Sequence, residues 1–169
     1  FEGRCVSFDD LFEQILAIHW EELIPVDGKI DISAVSRSES VRSPRVMQSM
    51  GKKAIITALK RRYPGATFSE QGDRFDIELS VVGETLAIDL NSSGAGLHRR
   101  GYRLKSGEAP IRETLAAALV LLSDWNCHCP LIDPFTGSGT IAIEAAMIAS
   151  GRAPGLNRKF EAERWPWIE

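Results

Sequence analysis

Leu131-Ile132-Asp133-Pro134-Phe135-Thr136-Gly137-Ser138-Gly139-Thr140, running into Ile141-Ala142-Ile143-Glu144-Ala145-Ala146-Met147-Ile148-Ala149, is the stretch on which the fold class turns. Leu131-Ile132 is a short apolar pair suited to a buried strand. Asp133 ends it, two glycines follow, and an apolar-rich segment from about 139 to 150 has the length of a helix. Strand, acid, glycine turn and helix compose the first β–α unit of a doubly wound nucleotide-binding sheet. Gly137 and Gly139 let the chain turn sharply and bring a ligand close to the backbone, while the helix start presents its N–H groups.

The pattern alone leaves the ligand open. Gly137-x-Gly139-x-x-Ala142 also fits the dinucleotide fingerprint, with Glu161 or Glu163 roughly 20 residues on as a ribose-binding acid. A P-loop is excluded, because no Lys follows the glycines. Two features favour S-adenosylmethionine over a nicotinamide dinucleotide. Its methionyl end carries an ammonium and a sulfonium, which suit Asp133 at the strand end. Pro134-Phe135-Thr136 also delay the glycines, which a pyrophosphate site would place directly after the strand.

Upstream, Pro110 opens a helix whose Leu115, Leu119 and Leu122 are expected to face inward. From Asn91 to Ala109 the composition shifts to Gly, Ser and basic residues, which marks a domain boundary. Before it, 74–81 (Phe75, Ile77, Leu79, Val81) and 85–90 (Leu86, Ile88, Leu90) alternate around Gly83 as a β-hairpin. Ser43-Pro44 is a helix start, cap then first-position proline. The helix carries Val46, Met47, Met50, Ala54, Ile55, Ala58 and Leu59 as an apolar stripe to about Tyr63. Ile30, Ile32 and Ala34 alternate as a half-buried strand. A short strand over 3–8 precedes a helix starting at Ser7 or Asp9, with Leu11, Ile15 and Ile18 on one face.

The chain has 169 residues, 44% apolar and 25% charged, which fits one ordinary or two small globular domains. No apolar run approaches the roughly 20 residues of a membrane span. The net charge of −3 is strongly segregated. Residues 37–62 hold eight Lys/Arg (Arg37, Arg42, Arg45, Lys52, Lys53, Lys60, Arg61, Arg62) against the single acid Glu39. Residues 97–105 add Arg99, Arg100, Arg103 and Lys105 with no acid. A solvated helix face explains the first run equally well; the second tips the reading to a polyanion site. Cys5, Cys127 and Cys129 form no disulfide framework, and Cys127-His128-Cys129 lacks zinc-site spacing and a second pair. Free thiols point to a reducing compartment, hence the cytosol, and no metal is expected. Beginning at Phe1 and ending in Trp165-Pro166-Trp167-Ile168-Glu169, the chain is expected to be an excised piece.

Leu97-His98-Arg99-Arg100-Gly101-Tyr102-Arg103, Ala109-Pro110-Ile111-Arg112-Glu113-Thr114-Leu115-Ala116-Ala117-Ala118-Leu119, Asp133 to Thr140, Glu144 to Ala149, and Ala153-Pro154-Gly155-Leu156-Asn157-Arg158 resemble the THUMP-domain class I RNA methyltransferases. The resemblance is nearest to the bacterial group similar to large-subunit ribosomal RNA guanine-N2 methyltransferases. It covers essentially the whole chain and is most specific over 97–158. It implies RNA binding by the THUMP domain and methyl transfer from S-adenosylmethionine to the exocyclic amine of a guanine. By position, Asp133, Gly137 and Gly139 match the family's cofactor motif, and Thr114, on the helix from Pro110, would border the methionyl end. The family's catalytic Asn/Asp-Pro-Pro-Tyr motif does not occur in these 169 residues, so no catalytic residue is assigned and the isolated chain is expected to be inactive. The segment that usually precedes THUMP is expected to be short or missing.

The expected layout is an α+β THUMP domain over 1–96, a basic Gly-rich linker over 97–109, and the start of an α/β Rossmann-like methyltransferase domain over 110–169. Cofactor contacts are expected from Asp133, Pro134, Phe135, Thr136, Gly137, Ser138, Gly139, Thr140 and Thr114. Phosphate contacts to RNA, ribosomal by resemblance, are expected from Arg37, Arg42, Lys52, Lys53, Arg99, Arg100 and Arg103. The rival readings are a stand-alone RNA-binding module and a dinucleotide oxidoreductase. Because its central strand would lack neighbours, 110–169 is expected to be only marginally stable alone.

Overall fold

The computed structural model describes residues 1–68, 71–103 and 110–168. They form two units, one of Phe1–Gly94 with the C-terminal segment from Arg164, the other of Ala95–Glu163.

In the first unit the order is β1 (Glu2–Arg4), α1 (Phe8–Leu16), β2 (Lys29–Arg37), α2 (Pro44–Arg62), β3 (Arg74–Val82) and β4 (Thr85–Leu90). The strands make one sheet in the order β1-β4-β3-β2. Only β2 and β3 run parallel, pairing Lys29 with Arg74 through to Arg37 with Val82. That pair needs a crossover, and α2 supplies it. β3 and β4 form the expected hairpin, with Leu79 opposite Ile88 and Val81 opposite Leu86. Phe75, Ile77, Leu79, Val81, Leu86 and Ile88 are buried, whereas Arg74, Glu78, Val82 and Asp89 are exposed, so one sheet face carries the core.

Capping starts both helices where the sequence indicates. Ser7 Oγ accepts from the Asp10 N–H and Ser43 Oγ from the Val46 N–H. Such caps contribute about 1 kcal/mol each. α1 buries Leu11 and Ile15; α2 buries Met47, Gly51, Ala54, Ile55, Ala58 and Leu59, and leaves Val46 exposed. A Cβ on Gly51 would lie 2.7 Å from Leu79 Cδ1, so the glycine lets α2 approach the sheet closely. The initial strand is shorter than expected, ending at Arg4.

The C-terminal segment completes this unit's core. Trp165 is buried, its ring stacked on Phe75 at 5.4 Å between centroids and 14° between planes. Trp167 donates its indole N–H to the Leu23 carbonyl at 3.0 Å.

The second unit contains α3 (Glu113–Leu122) and α4 (Thr140–Ala149). Three expectations are corrected here. First, α3 begins at Glu113, and it buries Glu113, Ala116 and Val120, while Leu115, Leu119 and Leu122 are exposed. Residues 115–122 are apolar all round, so periodicity could not choose the inner face. Second, Leu131-Ile132 is not a strand, because no neighbouring strand in this unit, among the described residues, gives it a ladder. Third, 97–103 is not a free linker; it is packed into this unit, while 104–109 lies outside the described residues. Gly101, at φ +85°, sits so close to Asn157 that a Cβ would fall 1.9 Å from its carbonyl oxygen. Arg158 fastens the same stretch, donating to the carbonyls of Ala95, Gly96 and Arg99.

Candidate cofactor turn and nucleic-acid interface

The glycine turn has the conformation its sequence requires. Gly137 and Gly139 adopt φ of +51° and +76°, where a side chain would be strained. The Gly139 N–H closes the turn on the Thr136 carbonyl at 2.7 Å, and the Gly139 carbonyl accepts from Ile143 in the first turn of α4. Gly139 is also the N-cap of α4, so no side chain caps that helix start. A Cβ at Gly137 would meet nothing nearer than the Phe135 carbonyl oxygen at 3.9 Å, so the glycine leaves open space above the turn. Asp133 is half-buried, and its Oδ1 accepts the Phe135 N–H at 3.1 Å, which holds the acid at the mouth of the turn. Pro134, Phe135, Thr136, Gly137 and Ser138 are exposed, and Thr140 is buried. Thr114 is exposed on the first turn of α3, beside Glu113.

Behind the turn lies a half-buried polar network, centred on buried Glu113, Thr140 and Glu144, that sequence reasoning missed. Tyr102 donates its phenol O–H to Glu144 at 2.9 Å, and Arg100 stands 3.5 Å from the other oxygen of that carboxylate. Arg103 pairs with Glu113 at 3.2 Å and donates to Thr140 Oγ1 at 2.7 Å. Thr140 Oγ1 is in turn 3.0 Å from Ser138 Oγ. Burial, then the hydrogen bond to Glu144, pushes the Tyr102 phenol well above its usual range. Arg100 and Arg103 were expected on a phosphate-binding surface and are instead turned inward. Glu113 and Glu144 are buried charges, and an unpaired buried carboxylate is costly, so the nearby arginines are committed to them. A lone Glu within the apolar run of α4 was the available signal.

The first unit gathers cations elsewhere. Arg45, Gln48, Ser49, Lys52 and Lys53 of α2 line an open groove with Ile30, Asp31 and Ile32 of the edge strand β2. Their spacing puts them on the flank of the helix, beside the face packed on the sheet's core. Lys52 and Lys53 are thus brought together, with Arg45 as a neighbour not singled out from sequence. Arg42, exposed, precedes the helix and donates its Nε–H to the Glu39 carbonyl. Arg37 pairs with exposed Val82 and so lies on the sheet face away from the helices. Arg99 is exposed in the second unit. Among the described residues no group of His, Cys, Asp or Glu is gathered for a metal ion, and no helix is long and apolar enough to cross a membrane.

The sheet with its two helices and the glycine-turned helix unit can each be compared with known domains. The THUMP domain model matches residues 5–92, and the RMKL-like methyltransferase domain model matches residues 100–166. The chain belongs to the THUMP family. It is 47% identical over 167 residues to the "Putative RNA methyltransferase YpsC" of Bacillus subtilis (strain 168), covering 98% of this chain and 43% of that protein. Among solved structures, a "predicted N6-adenine-specific DNA methylase" from Listeria monocytogenes matches over 100% of this chain and 45% of its own, with TM-score 0.93 and 41% identity. "SMU.472, a putative methyltransferase complexed with SAH" matches over the same shares, with TM-score 0.87 and 36% identity. The chain therefore spans less than half the length of the relatives it matches.

Proposed function

We propose that this chain is the RNA-engaging and cofactor-turn part of an S-adenosylmethionine-dependent RNA methyltransferase. The observation that carries the reading is the open turn at Gly137 and Gly139, set between Asp133 and the uncapped start of α4. A relative with the same fold over this chain was solved with SAH, the demethylated product of that cofactor. Asp133 would hold the ammonium of the methionyl end. Gly137, Ser138, Gly139 and Thr140 would pass close beneath the ligand, and Thr114 would border it. When bound, the sulfonium supplies an electrophilic methyl group, and the residues here hold and orient it, which is where much of the rate of such a transfer arises.

RNA is favoured over DNA by the THUMP domain and by the name of the curated relative, although one structural relative is named a DNA methylase. The groove between α2 and the β2 edge is the phosphate-tracking surface in this reading, with Arg45, Lys52 and Lys53 as its cations. Guanine N2 of large-subunit ribosomal RNA is the finer target, resting on the family resemblance, and the cytosol is the compartment.

Titration of the full-length protein with S-adenosylhomocysteine, NAD and RNA in turn tests this. S-adenosylhomocysteine and RNA should bind and NAD should not. Asp133→Ala should abolish cofactor binding and leave RNA affinity nearly unchanged. RNA binding without S-adenosylhomocysteine binding would make the protein a binding module, and NAD binding would make it an oxidoreductase.

A further inference from the structure

Arg103 reaches two helix starts at once. Its Nε is 3.2 Å from Oε1 of Glu113, the first residue of α3, and its terminal nitrogen donates at 2.7 Å to Oγ1 of Thr140, the first residue of α4. Thr140 is bonded directly to Gly139, and its hydroxyl lies 3.0 Å from that of Ser138. Glu113 is bonded directly to Thr114. One guanidinium therefore fixes the start of the glycine-turned helix relative to the start of the helix beside it. The side chains involved are 19% exposed for Arg103 and 9% for Glu113, so water screens these contacts weakly. A planar fork can serve two acceptors in fixed directions, which an ammonium on a flexible stem cannot do.

We propose that Arg103 is a positioning residue for the cofactor: by holding Thr140 and Glu113 together it sets the spacing between the Gly137–Gly139 turn and Thr114. The proposal rests on the cofactor reading above. It gives Arg103 a role distinct from Arg100, whose partner Glu144 lies one turn into α4, away from the glycines.

The test uses the full-length protein and S-adenosylhomocysteine affinity by calorimetry, with thermal midpoint and RNA affinity measured in parallel. Arg103→Met should weaken S-adenosylhomocysteine binding by about tenfold or more while RNA affinity stays within error. Arg103→Lys, which keeps the charge and loses the fork, should recover only part of it. Arg103→Met combined with Glu113→Gln removes the stranded carboxylate and should restore the thermal midpoint without restoring affinity. Recovery of affinity together with stability in the double variant would mean that Arg103 merely neutralises Glu113, and would overturn the proposal. Unchanged affinity in Arg103→Lys would overturn it too, and that variant decides the matter if the Met variant does not fold. Failure of the unaltered protein to bind S-adenosylhomocysteine would instead remove the cofactor reading itself.

Discussion

The phenol of Tyr102 donates to Glu144 across 2.9 Å, joining a residue of the basic stretch 97–103 to the buried carboxylate of α4. Burial comes first among the causes that raise this phenol's pKa, followed by the hydrogen bond to Glu144 and the charges of Glu144 and Glu113, with Arg103 opposing. Because the folded value is raised, the contribution to stability is fully present below the ordinary tyrosine value of 10.0 and is lost as pH rises above it through the folded value. Alkaline titration followed by phenolate absorbance should show one phenol ionising well above 10 and only with loss of structure. Tyr102→Phe should delete that late component; its persistence would assign it elsewhere.

Gly101 allows no side chain. Its φ of +85° strains an L residue, and a Cβ would fall 1.9 Å from the backbone oxygen of Asn157. Gly101→Ala should destabilise the second unit by at least about 2 kcal/mol, since neither backbone can yield cheaply. Urea unfolding would show the loss, and a fully stable variant would refute the packing of 97–103 against 155–158.

Removal of Trp165 empties a site within the first unit's core. Trp165→Ala should cost about 3–5 kcal/mol, the range for a large aromatic truncated in a packed interior. The same unfolding experiment measures it, and Trp167→Ala, at an exposed position, should cost much less.

Salt dependence should locate the polyanion. Replacing Arg45, Lys52 and Lys53 together with Ala should make the plot of log affinity against log salt shallower by about 2 to 3. Arg42→Ala, outside the groove, should have a smaller effect. A slope unchanged by the triple variant would move the RNA surface elsewhere.

Much of the first unit is legible in the sequence because its signals are local. Ser43-Pro44 marks the start of α2, and the alternation from Phe75 to Val81 and Leu86 to Leu90 marks the hairpin. The glycine turn is legible for the same reason, since only glycine suits the φ values found at 137 and 139. What escaped depended on contacts between distant residues. The inward course of Arg100 and Arg103 is set by Glu144 and Glu113, which lie 44 and 10 positions further along. Arg45 stood among the cations counted, yet its place in the groove depends on β2, brought alongside α2 by the sheet. Trp165 gave no periodic signal, and its ring finds Phe75 ninety positions upstream.

That return of the chain changes what kind of connection the second unit has. Residues 95–163 leave the first unit after Gly94 and re-enter it at Arg164, where Trp165 is seated. Residues 95–163 thus form a closed loop anchored at both ends, as an insertion does, rather than hanging on a single tether. Closing so long a loop costs conformational entropy, and that cost grows only slowly with the loop's length. The contacts of Trp165 with Phe75 must outweigh that cost, with one stacked tryptophan as the clasp.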